Sequence, residues 1–270
     1  MPPASPVLTV MIAAARKAAR RLVRDFGEVE NLQVSVKGPA DFVSQADMRA
    51  EATLKAELAK ARPGYTLVLE EHGVIEGSDR THRFIVDPLD GTTNFLHGIP
   101  QFAISIALER EGDLVAGVVY NPVADELYTA EKGGGAYLND RRLRVSARTT
   151  LDQALLATGI PARGWPGHAA FLAELAGAMA ATAGVRRFGA ASLDLCAVAA
   201  GRIDGYWERN LKPWDIAAGA LIVREAGGQV TTIEGGPLDL TAGSLLASNG
   251  TVHKLVAALL HPTTSGHTAR

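Results

Sequence analysis

The stretch Asp87-Pro88-Leu89-Asp90-Gly91-Thr92-Thr93-Asn94-Phe95 follows Phe84-Ile85-Val86, an aromatic and β-branched run of the kind found in buried strands. Two carboxylates stand at the end of that strand, with Pro-Leu between them and Gly and two hydroxyls behind. Pro88 holds Asp87 out of the helical region and fixes a corner. Gly91 lets the backbone bend and approach a ligand closely. Thr92, Thr93 and Asn94 are N-cap types, so a helical turn is expected there with its N–H groups aimed at an anion. Two carboxylates in one corner repel, so one must hold a proton unless a cation neutralises them. The alternative is a plain solvated turn that Asp87 opens and Asp90-Gly91 completes.

Three further places carry carboxylates. Glu70-Glu71 ends the strand-like Tyr65–Leu69, the end of a strand where open sheets bind ligands. Asp215 falls in the first turn of an expected helix from Pro213 to Ala226, where the dipole favours a negative charge. Asp41 and Asp47 flank Ser44 ahead of an expected helix from Asp47 to Ala61. Each alone reads as a strand-end acid, a helix-start acid or a cap. Together they supply hard oxygen donors without a His or Cys pairing, which suits magnesium or manganese rather than zinc. None of the seven histidines forms an HExxH pair.

The rest of the chain divides in two. Residues 1–148 read as two helices followed by a largely antiparallel run of strands: 102–109, 114–120, 126–130 and two shorter ones up to Val145. Residues 149–260 alternate strands (154–158, 185–188, 204–207, 229–233, 244–248) with helices (168–183, 192–200, 213–226, 252–260), a sheet covered by helices. Residues 261–270 form a polar tail expected to fray. Leu8, Met11, Ile12, Ala15, Ala19, Leu22, Val23 and Phe26 make an apolar stripe on the first helix, with Arg16, Arg20 and Arg24 on another face. A core-facing helix explains the stripe better than a membrane-surface one. In the 270 residues, 47% are apolar and 21% charged, with net charge −2. No basic field invites nucleic acid or an anionic membrane. Cys196 is the only cysteine, so no intrachain disulfide forms, in keeping with a cytoplasmic location.

DPLDGTTNF, the upstream EEHG and WDIAAGALIVREAGG (Trp214–Gly228) together resemble the inositol monophosphatase family of magnesium-dependent, lithium-sensitive phosphatases. The three boxes stand in the family's order over about residues 10–260. The resemblance implies an α/β (α+β) fold, layered α-β-α-β-α, with an antiparallel N-terminal sheet and a mixed C-terminal one, in a homodimer. It implies that Glu70, Asp87 and the Leu89 carbonyl hold one magnesium, and that Asp87, Asp90 and Asp215 hold a second. Thr92 and Asp47 would orient the attacking water, and Gly91 and Thr92 would offer N–H groups to the phosphate. Gly189, Ala190, Ala191 and Glu208 would face the alcohol of the substrate, with Asp90 and Asp215 bordering it. Leu69 and His72 depart from the small residues common beside the Glu pair, which touches local geometry or substrate access.

The expected activity is hydrolysis of a small phosphate monoester, myo-inositol monophosphate first, by direct attack of a metal-activated water. Two or three magnesium ions, or manganese, would serve, and lithium would inhibit. Histidinol phosphate, fructose 1,6-bisphosphate and 3′-phosphoadenosine 5′-phosphate are rivals within the same chemistry. A reading of another class is a non-catalytic binding scaffold, with Arg141-Arg142-Leu143-Arg144 as its contact.

Overall fold

The computed structural model describes residues 4–28, 34–38, 41–161 and 163–261. Helix α1 (Pro6–Phe26) starts with Pro6 in its first turn and the Ser5 hydroxyl accepting from the Leu8 N–H, both preferred at a helix start. It buries Leu8, Met11, Ala14, Ala15, Ala18, Ala19 and Leu22, whereas Val23 of the expected stripe is exposed. A short antiparallel pair, β1 (Val34–Gly38) and β2 (Asp41–Ser44), leads into α2 (Gln45–Ala61). Ala46, Ala50, Leu54 and Leu58 of α2 recur every four residues and are buried.

An eight-stranded sheet follows, of β3 (Tyr65–Leu69), β4 (Gly73–Ile75), β5 (Asp79–Asp90), β6 (Ala103–Arg110), β7 (Asp113–Asn121), β8 (Glu126–Glu131), β9 (Gly135–Leu138) and β10 (Arg141–Arg142). Helix α3 (Thr92–Leu96) stands between β5 and β6. The sheet runs β10-β9-β8-β7-β6-β5-β3-β4. Its neighbours pair antiparallel as expected, except that β3 and β5 are parallel. The second half supplies β11 (Leu155–Thr158), α4 (His168–Ala181), β12 (Gly184–Arg186), α5 (Ala191–Ala199), β13 (Gly205–Arg209), α6 (Pro213–Glu225), β14 (Gln229–Thr231), β15 (Ser244–Ser248) and α7 (His253–Leu260). Its five strands form a mixed sheet ordered β12-β11-β13-β15-β14.

Strand alternation sorts these elements into layers. Phe84 and Val86 of β5, with Ile104 and Ile106 of β6, join a core under α1 and α2. Ile85, Ala103 and Ala107 point the other way, into a core shared with α5, α6 and the inner face of the second sheet through Ala157, Tyr206, Leu245 and Ala247. Leu156, Trp207 and Leu246 face outward against α4 and α7. The order is therefore α-β-α-β-α, as expected, and the central core is continuous across both sheets.

Element bounds differ locally from expectation. Strand β5 does not stop at Val86 but runs through to Asp90. Asp87 pairs with Ser105 and Asp90 with Ala103, so β5 carries one extra residue there, a bulge that accommodates Pro88. The strand expected to reach Phe188 ends at Arg186, and Leu143–Val145 lie beyond the last strand of the first sheet. Gln33 and most of the expected tail fall outside the described residues. His261 belongs to the body, its Nε2 2.8 Å from the Ile233 carbonyl. Among the described residues no helix is long and apolar enough to cross a membrane.

Candidate metal centre and active site

Strands β3 and β5 run parallel with Leu69 opposite Val86. Glu70, the first residue past the end of β3, therefore comes to stand beside Asp87, the next residue along β5. In an antiparallel pair they would emerge at opposite ends. Asp87 lies on the same face of β5 as Ile85, toward the layer of α5 and α6. One of its oxygens accepts the Leu89 N–H at 2.8 Å, which closes the bulge. Three residues on, the Thr92 hydroxyl donates to the Leu89 carbonyl at 2.9 Å. Thr92 thereby spends its proton internally, and its lone pairs remain to accept from a water. The Leu89 carbonyl retains a second lone pair.

Gly91 closes the loop at φ 93°, and a Cβ there would stand 2.8 Å from the Gln101 carbonyl. Only glycine meets both conditions. Asp90 is received from 102 residues away in sequence: the Ser192 N–H and hydroxyl both reach its Oδ2, at 2.7 and 2.5 Å. Ser192 and Ala191 open α5, so the unpaired N–H groups of that helix start are directed at Asp90. Asp215 sits in the first turn of α6, behind Pro213, and its Oδ2 accepts the Lys212 N–H at 2.7 Å.

These carboxylates act on one another. Burial first, then the charges of Glu70, Asp90, Asp215 and Asp47, push Asp87 well above the ordinary carboxylate range. Burial raises Asp90 to about 6, against the hydrogen bonds of Ser192 and Ala191 and the charge of Arg187. Asp215 is raised by burial and by Asp90. Asp47, Glu70 and Glu71 bring one oxygen each within 4.8 Å of one another, the one such trio among the described residues. Asp87 feels the charges of Glu70 and Asp47, and Asp215 that of Glu70. The donor set is all hard oxygen, and its excess negative charge is what a divalent cation relieves, so the residues present fit magnesium or manganese.

A second group of acids lies within electrostatic reach of Asp90. Glu208, on β13, is pushed up to about 7 by burial, opposed by its hydrogen bond from Tyr206 and by Arg187. Its carboxylate covers Gly159, where a Cβ would come within 1.8 Å of Cδ. Asp194 is buried on α5, raised to about 9 by burial and by Glu208, and its Oδ1 has no hydrogen-bond partner among the described residues. Ala190 and Ala191 are buried beside Asp90, and Gly189 is half-buried next to the Arg187 guanidinium.

The structure thus draws Asp47, Glu70, Asp87, Leu89, Asp90, Thr92 and Asp215 into one neighbourhood, with Glu208 and Gly189–Ala191 at its border. Sequence reasoning named Glu71 beside Glu70 but gave it no ligand role, and it missed Ser192 as the donor to Asp90, as well as Arg187 and Asp194. Asp194 had left a signal, an acid inside the apolar run Leu193–Val198. Nothing local marks Ser192 or Arg187. Asp41 is placed only by its backbone, at the start of β2.

The sequence profile of the inositol monophosphatase family matches residues 4–265. An inositol-1-monophosphatase of Mesorhizobium japonicum is 59% identical over 259 residues, 96% of this chain and 97% of its own. One of Caulobacter vibrioides is 61% identical over 246 residues, 90% and 96% of the two chains. The crystal structure of the extragenic suppressor protein suhB from Bartonella henselae superposes with a TM-score of 0.93 at 58% identity, covering 96% of this chain and 99% of that one. With profile, relatives and layered fold in agreement over nearly the full length, this chain belongs to the inositol monophosphatase family, an enzyme family of phosphatases.

Proposed function

We propose that the chain is a magnesium-dependent phosphomonoesterase that hydrolyses myo-inositol monophosphate to inositol and phosphate. The observation that carries this reading is the parallel β3/β5 register, which sets Glu70 beside Asp87 and within electrostatic reach of Asp90 and Asp215. Glu70, Asp87 and the Leu89 carbonyl would hold one magnesium, and Asp87, Asp90 and Asp215 a second, with Asp47 and Glu71 beside Glu70. Bound there, the ions supply the Lewis acidity that sharpens a water nucleophile and neutralises charge on the leaving oxygen.

The chain's own groups supply position. The Thr92 oxygen, whose O–H donates to the Leu89 carbonyl, would accept a hydrogen bond from the attacking water and orient it, together with Asp47. The Gly91 and Thr92 N–H groups face the phosphate. Glu208, poised at about 7 beside Tyr206, exchanges a hydrogen bond with a hydroxyl of the substrate, and Gly159 leaves the space its carboxylate occupies. Phosphoryl transfer needs little more than positioning and neutralisation of charge. Cys196 is fully buried in the central core and its thiol is raised well above its usual range, which suits packing and not nucleophilic attack.

The halves 1–148 and 149–260 are proposed as contributing the two sides of this site. A homodimer is supported by a groove of about 390 Å³ lined by Ile160, Phe171, Leu175, Val185 and the exposed Met179. The lone buried Cys196 supports a cytoplasmic location.

The test is a panel of myo-inositol 1-phosphate, histidinol phosphate, fructose 1,6-bisphosphate and 3′-phosphoadenosine 5′-phosphate, assayed for kcat/KM with magnesium, with and without lithium. The inositol ester is expected to lead, and lithium to inhibit. Asp87→Asn is expected to lower kcat/KM at least about a hundredfold, since the Lewis-acid contribution amounts to several kcal/mol. Full activity in Asp87→Asn would overturn the metal assignment. Undetectable phosphate release on every ester would return the chain to the scaffold reading.

A further inference from the structure

Glu51 lies on α2 one turn beyond Asp47, so the two share a helix face. Its side chain is wholly buried. It reaches the three residues that join β3 to β4, beyond the Leu69–Gly73 pair that ends the ladder. The Glu71 N–H donates to its Oε2 at 2.7 Å and the His72 N–H to its Oε1 at 3.1 Å. The His72 imidazole closes on that same Oε1 through Nδ1.

We propose that Glu51 is the positioning residue of the metal centre: it clamps the Glu70-Glu71-His72 turn so that Glu70 and Glu71 meet Asp47 from a fixed direction. This rests on the reading of Glu70 as a metal ligand. Both backbone bonds come from the residues immediately after Glu70, so they fix the peptide that carries it. The same helix that clamps the turn also carries Asp47, so α2 sets all three members of the tight trio as one unit. Glu51 itself is committed to three donors and does not compete as a ligand. His72 contributes the third contact through its imidazole Nδ1.

The experiment is calorimetric titration of Mn²⁺ into the purified chain without substrate, beside the magnesium dependence of phosphate release. Glu51→Gln retains shape but turns an NH₂ toward one of the backbone donors. It is expected to weaken Mn²⁺ binding roughly tenfold to a hundredfold, the usual cost of disturbing a ligand's support. At saturating metal, kcat is expected to stay close to that of the parent. His72→Ala, at a half-exposed ring, is expected to weaken Mn²⁺ binding by a smaller factor in the same direction, and it decides the matter if Glu51→Gln does not fold. A folded Glu51→Gln with parental Mn²⁺ affinity, or with lowered thermal stability as its only change, overturns the proposal. Asp87→Asn separates the two levels. If it abolishes Mn²⁺ binding while Glu51→Gln leaves it intact, the positioning role alone fails. If neither it nor Glu51→Gln alters binding, the metal centre fails with it.

Discussion

Burial would carry Asp90 far up, and the Ser192 and Ala191 donors with the charge of Arg187 bring it back to about 6. A carboxylate must shed its proton to bind a metal, so protons compete with magnesium below that value. Apparent magnesium affinity is therefore expected to fall as pH drops through about 6, by at most about tenfold per unit for each proton displaced. Calorimetry at several pH values in two buffers of different ionisation enthalpy would show it, with proton release peaking near that midpoint. A flat affinity from pH 5 to 8 would mean that Asp90 is already ionised without metal. The opening motif is where local reading did best: Pro88 and Gly91 mark a distorted strand end from their own chemistry. It stopped short at Asp90, whose partner Ser192 stands 102 residues on and has no local signature.

At the scale of elements, two helices are pressed together beneath the site. Gly219 on α6 faces α5 so closely that a Cβ would lie 2.6 Å from the Leu195 side chain. Gly219→Val is expected to overpack this contact and cost about 1–3 kcal/mol. That corresponds to a Tm lower by roughly 2–12 °C for a chain of this size. Because α5 carries Ser192 and α6 carries Asp215, magnesium affinity should fall along with stability. A variant with parental Tm would show that the helices separate without penalty. The helices themselves were legible, since Pro213 at the start and Gly227-Gly228 at the end bracket α6 to within a residue. Their distance from each other was not, because glycine in an apolar helix does not reveal which neighbour it admits.

For the whole molecule, the metal-free state bears the repulsion of the site. Asp90 holds its proton up to about 6 when folded, against an ordinary 3.8, and Asp87 and Asp215 shift in the same direction. Between those two values the folded chain binds more protons than the unfolded one, so stability declines as pH rises. In chelator, the contribution of these groups is expected to lower Tm from pH 4.5 to 7, and Asp87→Asn to lessen that decline. Magnesium at a hundredfold excess over its Kd should restore about 2.7 kcal/mol, a rise of roughly 5–10 °C. Equal Tm with and without magnesium at pH 7 would remove the linkage between site and fold.

The donor types of the candidate site were legible from the residues alone: carboxylates at strand ends and helix starts, without a His or Cys pairing. The alternation and turn residues likewise marked nearly every strand and helix, because these are local preferences. Three matters were decided only by the tertiary structure. Strands β3 and β5 are parallel, although they lie in an otherwise antiparallel sheet, and this alone puts Glu70 beside Asp87. The start of α5 is set against Asp90. Glu51 turns inward to grip the Glu70–His72 turn instead of remaining a solvated helix acid. Each depends on pairing between segments distant in the chain, and a residue's own propensity is the same whichever partner the fold brings to it.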